Sequence, residues 1–230
     1  MNAPDAKPTF DEYAHQYETT LDQGLRLTGE SRDYFAAQRV IFTKNECARR
    51  GARVRTILDF GCGTGDTIPL LRNAFDAEVI GTDPSAASRL IAETRFGIRS
   101  FSPSDLPSDV AVDVVYCNGV FHHIPLSERA AAMLVIAKTL RPGGLFFLWE
   151  NNPLNPGTRW VMSRIPFDRD ALCVWPSSAR SLGVSNGFAV LRTSFHFYFP
   201  HSLRCLRRFE RLLASIPLGG QYVVVFSKSG

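Results

Sequence analysis

Three glycines at alternate positions, Gly61, Gly63 and Gly65, close the run Ile57-Leu58-Asp59-Phe60-Gly61-Cys62-Gly63-Thr64-Gly65-Asp66. An acid, Asp83, ends the next apolar run, Val79-Ile80-Gly81-Thr82. Glycine lets a backbone turn tightly and approach a ligand with no Cβ in the way. A carboxylate ending the second strand accepts hydrogen bonds from both hydroxyls of a ribose. The 22 residues from Gly61 to Asp83 fit one βαβ unit, so the pattern is that of a nucleoside site. Further along, His122 and His123 stand side by side. An imidazole, with an ordinary pKa of about 6.5, suits the removal of a proton from a hydroxyl or an amine.

The glycine spacing separates cofactor classes. A dinucleotide fingerprint reads G-x-G-x-x-G/A, its third small residue packing helix on strand beside a pyrophosphate. Here the third glycine comes one residue early and Asp66 occupies the small-residue position, where it would repel phosphate. The Asp-x-Gly-x-Gly-x-Gly form resembles motif I of the class I S-adenosylmethionine-dependent methyltransferases, whose cofactor carries a sulfonium and an amino-acid tail in place of phosphates. The likeness extends through Gly-Thr-Asp-Pro-Ser at 81–85, the run from Asp113 to Ile124, and Leu140-Arg141-Pro142-Gly143-Gly144, covering roughly residues 54 to 150.

The resemblance implies a set of roles. Asp59, Gly61, Cys62, Gly63, Thr64 and Gly65 would meet the methionine part of S-adenosylmethionine, and Asp83 with Pro84 its ribose. Cys117, Asn118 and Gly119 would border the reacting methyl group, and Tyr17 falls where related chains carry an aromatic contact. The adenine loop departs from the family pattern: Ser102 and Pro103 replace an acid and a small residue, and proline has no N–H to give. Ser102, Asp105 and Leu106 are the remaining adenine candidates. His123, then His122, are the expected general bases, set against a core or loop-fixing role for one of the pair. Tyr13, Glu150, Asn152 and Arg169 are expected at the acceptor, Arg169 through a bidentate bond to an anion; an Asp-Arg-Asp run also reads as a surface charge cluster. The loop after the fourth strand reads Cys-Asn-Gly-Val, unlike the [Asn/Asp]-Pro-Pro-aromatic loop of enzymes that methylate amino groups of nucleobases or glutamine. A hydroxyl oxygen of a small molecule in a secondary-metabolite or glycan pathway is the expected acceptor, with nitrogen and carbon open.

Such residues need an α/β scaffold. Strands are expected near 54–60, 78–83, 98–101, 112–117, 144–150, 188–198 and 221–227, and helices near 65–75, 85–95, 127–140 and 177–184. They form a Rossmann-like sheet of seven strands, mostly parallel with the last antiparallel, flanked by helices. The expected organisation is one domain over 1–230. Residues 10–50 make a helical lid, 54–150 the cofactor-binding core, 151–176 a proline-punctuated substrate-side insertion, and 177–230 the rest of the sheet. In 201–216, Leu203, Leu206, Phe209, Leu212, Leu213 and Ile216 recur at helical spacing with Arg204, Arg207, Arg208 and Arg211 between them. That is either a solvated face over a sheet-packed stripe or a surface for phosphorylated carriers or anionic lipid.

Composition narrows the alternatives. The chain has 230 residues, 45% of them hydrophobic, and a formal charge of +4, too mild to argue for nucleic acid. Five scattered cysteines with no C-x-x-C pair read as free thiols in a reducing cytoplasm, with no metal site. No apolar run reaches the ~18–20 residues needed to span a bilayer, so a soluble cytoplasmic protein is expected. The rivals are a nicotinamide-dependent oxidoreductase, for which no Tyr-x-x-x-Lys pair is evident, and a relative that binds S-adenosylmethionine without methylating.

Overall fold

The computed structural model describes residues 29–164 and 171–228. Seven strands form one sheet in the order β3-β2-β1-β4-β5-β7-β6. They are β1 (Thr56–Phe60), β2 (Glu78–Thr82), β3 (Ser100–Phe101), β4 (Val112–Asn118), β5 (Leu140–Asn151), β6 (Phe188–His196) and β7 (Gln221–Lys228). β1 to β5 pair in parallel, and β7 runs antiparallel between β5 and β6. The expected seven-stranded sheet is therefore present. The ladder between β4 and β5 shifts register near Val112, where β5 carries the exposed Arg141-Pro142-Gly143.

Alternate residues of the central strands feed two cores. Leu58, Val115, Phe146, Leu148, Val224 and Phe226 bury one face. Ile57, Val114, Tyr116, Phe147, Trp149 and Val223 bury the other. Strands apolar on both faces are what a sheet covered by helices on both sides requires. The described helices are α1 (Arg32–Arg49), α2 (Ile68–Phe75), α3 (Ala86–Phe96), α4 (Arg129–Thr139), α5 (Pro156–Met162), α6 (Pro176–Ser185) and α7 (Glu210–Leu213), with a 3-10 helix over His201–Phe209.

Two expectations change. The 10–50 segment is more than a lid in its described part, because Val40 and Cys47 of α1 belong to the core that includes Ile57 and Trp149. Only the first turns of α1 reach over the strand ends. The 201–216 segment is a 3-10 helix followed by one α turn, and none of its residues over 201–213 is buried. Its apolar stripe is not packed on the sheet.

Candidate active site

A cleft of about 700 Å3 opens at the C-terminal ends of β1, β2 and β4, between the first turns of α1 and the face of α4. A crevice arises here because the chain leaves neighbouring strands in opposite directions. Gly61 and Gly63 show why the loop after β1 needs glycine. Gly61 has φ +80°, its N–H donates to Thr82 O at 2.7 Å, and a Cβ there would lie 2.2 Å from Val120 Cγ2. At Gly63, φ +52°, a Cβ would enter open space, so the backbone itself forms the wall.

Asp83 joins the loop to α3. Its Oδ2 accepts the Gly63 N–H and its Oδ1 accepts the Ser85 N–H, both at 2.9 Å. These bonds fix the carboxylate in the cleft wall, where an acid at a strand end can meet a pair of vicinal hydroxyls. Pro84 also lines the cleft. Asp59 lies beneath, buried, and its carboxyl is pushed up to about 7 by desolvation first and by the Asp83 charge second. A cation entering the cleft would relieve both effects, whereas a pyrophosphate would worsen them. Asp66 is differently employed: Arg32 and Arg95 hold it at 3.0 and 3.2 Å, tying α1 and α3 to the glycine loop.

Thr64, Asn118, Gly119 and His123 line the cleft, as does Cys62. The Cys62 thiol is held well above its usual range by burial and by Asp59. Asn118 Oδ1 is buried with no hydrogen-bond partner, a state that costs about 1–3 kcal/mol unless a donor arrives. Gly65 sits where a Cβ would strike Phe96 and Ile68, packing α2 and α3 together.

Several expected residues lie elsewhere. Cys117 is fully buried in the core and not in the cleft wall. The wall after β3 is made by Pro103 and Ser104; Ser102 Oγ bonds Ser104 Oγ at 2.9 Å, Asp105 is exposed, and Leu106 packs on the core. Glu150, expected at the acceptor, is 1% exposed. Its Oε1 accepts the Phe121 N–H at 2.8 Å and its Oε2 lies 2.6 Å from His122 Nδ1. Because a carboxylate only accepts, His122 Nδ1 donates. The pair clamps the loop after β4 to the end of β5, and His122, itself buried, is not part of the cleft lining. Its ring lies 4.0 Å from that of His123, centroid to centroid, tilted by 50°. Asn152 is also enclosed, its Nδ2 donating to Pro217 O and Gly219 O. Tyr13, Tyr17 and Arg169 lie outside the described residues.

One residue escaped notice in the sequence. Arg39, on α1, is 8% exposed and lines the cleft, its Nε donating to Tyr116 Oη at 3.2 Å and its Nη1 to Gln221 Oε1 at 3.0 Å. Its spacing from Arg32, seven residues or two turns, was the available signal. Val120, Ala132 and Val135 add an apolar wall. Among the described residues no cluster of His, Cys, Asp and Glu could hold a metal, and no helix is long and apolar enough to cross a membrane.

A methyltransferase-domain family model matches residues 29–209. The trans-aconitate 2-methyltransferase of Variovorax paradoxus is 37% identical over 94 residues, covering 39% of this chain and 36% of that protein. Methyltransferase AacuQ of Aspergillus aculeatus is 33% identical over 103 residues, covering 42% and 32%. The chain thus spans about a third of the length of these curated relatives. A TehB-like SAM-dependent methyltransferase from Corynebacterium glutamicum superposes with a TM-score of 0.63 at 16% identity, over 95% of this chain and 99% of that one, a likeness of fold.

Proposed function

Because the chain belongs to the methyltransferase-domain family, we propose that it binds S-adenosylmethionine in the cleft and methylates a hydroxyl oxygen of a small molecule, in secondary-metabolite or glycan metabolism. The observation that carries the reading is Asp83, a carboxylate in the cleft wall at the end of β2 that anchors both the glycine loop and the start of α3, the acceptor a ribose diol needs at that place. The relative named for trans-aconitate supports a small-molecule acceptor.

The residues present fit this cofactor. Asp83 suits the ribose, and the apolar wall of Val120, Ala132 and Val135 with Pro103 suits the adenine. Arg39, a buried guanidinium oriented by Tyr116 and Gln221, suits a carboxylate. The raised carboxyl of Asp59 and the unsatisfied Oδ1 of Asn118 both favour a positively charged or N–H-bearing partner. When bound, the cofactor supplies a methyl group already activated on a sulfonium. The chain's own task is to align the acceptor, exclude water and remove one proton. His123 is the base: it lines the cleft, and its ring packs at a tilt against that of His122, which Glu150 fixes in turn. A ring nitrogen of His123 would take the proton of an acceptor hydroxyl placed in the cleft.

Titration calorimetry with S-adenosylhomocysteine and with NAD tests the cofactor. Saturable binding of the first and none of the second is expected; NAD binding with no response to millimolar S-adenosylhomocysteine overturns the reading. With an acceptor in hand, His123→Ala should lose the base-dependent limb of the rate profile while still binding S-adenosylhomocysteine.

A further inference from the structure

Beside the cleft lies a second surface that methyl transfer does not use. It is built from two segments, residues 151–164 after β5 and residues 201–220 between β6 and β7. Side chains of the first bond carbonyls of the second: Asn152 Nδ2 to Gly219 O at 2.8 Å, Asn155 Nδ2 to Leu218 O at 2.7 Å and Thr158 Oγ1 to Gly220 O at 2.8 Å. Together they carry six arginines and one carboxylate, Glu210, in a chain whose whole formal charge is +4. Glu210 is turned inward, accepting the Tyr198 and Phe199 N–H groups, and Arg207 is engaged by Glu30 at 2.7 Å. Arg159, Arg164, Arg204, Arg208 and Arg211 remain exposed, and among the described residues none of them pairs with a carboxylate.

Between these cations stand apolar side chains that folding leaves in water. Leu212 is 79% exposed and Leu218 58%, with Leu203, Phe209, Ile216 and Trp160 each above 40%. Arg164 stacks 3.9 Å over the Trp160 ring and Arg208 4.8 Å over the Phe209 ring. A patch of this kind costs solubility unless something covers it. Arginines that meet phosphates, interleaved with Leu, Phe and Trp that enter the acyl boundary, are the two requirements of an interfacial segment. A nucleic-acid surface needs the cations but gains nothing from an exposed leucine row.

We propose that this face binds the surface of an anionic lipid bilayer. Its position has a consequence for the cleft. The face hangs from the C-terminal ends of β5 and β6 and the start of β7, since Asn151 and His196 are both register partners of Gln221. The cleft opens at the same end of the sheet, and Gln221 holds the cleft residue Arg39. Docking therefore turns the cleft mouth toward the interface and gives access to molecules resident there. The interaction itself does not depend on the identity of the acceptor.

Sedimentation of the full chain with vesicles tests this. Equimolar phosphatidylglycerol and phosphatidylcholine should carry the protein down at low salt and release it as salt rises, while pure phosphatidylcholine should not. Replacing three exposed arginines together, Arg204→Gln, Arg208→Gln and Arg211→Gln, should weaken partitioning by about a hundredfold, and Leu212→Ser should weaken it several-fold. Equal sedimentation with both vesicles, no sedimentation with either, or an unaltered triple variant overturns the proposal. So does retention by transfer RNA without retention by vesicles, which would make the face a nucleic-acid surface. If the variants unfold, the lipid and salt comparison on the unaltered protein decides alone. S-adenosylhomocysteine titration should be the same for all these proteins, so failure of the cofactor reading shows separately.

Discussion

Substituting Gly61 by alanine probes the joint between the glycine loop and the loop after β4. The new Cβ would sit 2.2 Å from Val120 Cγ2 and 3.1 Å from Cγ1, on a residue with φ +80°. Left-handed backbone costs a non-glycine residue about 1–2 kcal/mol, and overpacking of this kind costs about 1–3 kcal/mol. The lower entropy of the unfolded alanine chain returns about 0.4–1 kcal/mol. The net loss should be about 2–4 kcal/mol, read from urea unfolding followed by tryptophan fluorescence with the slope unchanged. Val120→Ala removes both Cγ atoms, leaving Val120 Cβ at 3.3 Å as the nearest contact. Alone it should cost about 1 kcal/mol. The double variant should then recover about 1–3 kcal/mol relative to the sum of the single effects, leaving the backbone strain. Additive losses, or a Gly61→Ala protein as stable as the parent, would refute the reasoning that these two loops meet through that methyl group.

Three further outcomes follow from the same geometry. Asp83→Asn puts an amide N–H against a backbone N–H at Gly63 or Ser85 and removes a charged acceptor; S-adenosylhomocysteine binding should weaken by about 1.5–3 kcal/mol in calorimetry. Asp59 keeps its proton up to about pH 7 when folded but ionises near 3.9 when unfolded. The unfolded chain therefore binds fewer protons between those values, and stability falls as pH rises through this window. Asp59→Asn should remove that fall, with a gain on the order of 2 kcal/mol at pH 8 and little at pH 4; a variant whose pH dependence matches the parent would contradict it. Glu150→Gln should cost about 2 kcal/mol of stability through the lost bond to His122 while leaving S-adenosylhomocysteine affinity within a few-fold. A changed acceptor KM at unchanged stability would instead return Glu150 to the substrate.

What could be read from the chain depended on how local the information was. Strand positions, the glycine loop and Asp83 were legible because each rests on a short pattern: apolar runs, alternate glycines, an acid at a strand end. His122 and His123 have the same residue type and adjacent positions, so only the partner 28 residues away, Glu150, separates a buried clamp from a cleft-lining ring. Glu150 and Asn152 flank the end of β5, yet their partners at 121–122 and 217–219 turn them inward. Arg39 could not be chosen among the arginines of its helix because its partners, Tyr116 and Gln221, are 77 and 182 positions distant. The apolar row of 201–216 obeyed helical spacing, but spacing says nothing about whether a facing surface exists.

The place of β7 in the sheet bears on how the molecule is made. It is the latest of the seven strands in chain order, yet it lies inside the sheet, with Val223, Val224, Val225 and Phe226 fully enclosed. Until residues 221–228 leave the ribosome, the long flank of β5 has no hydrogen-bonding neighbour on one side and β6 has none to join. A nascent chain must therefore carry an open, apolar strand edge from the completion of β5 until β7 is made, the condition under which chains seek chaperones or one another.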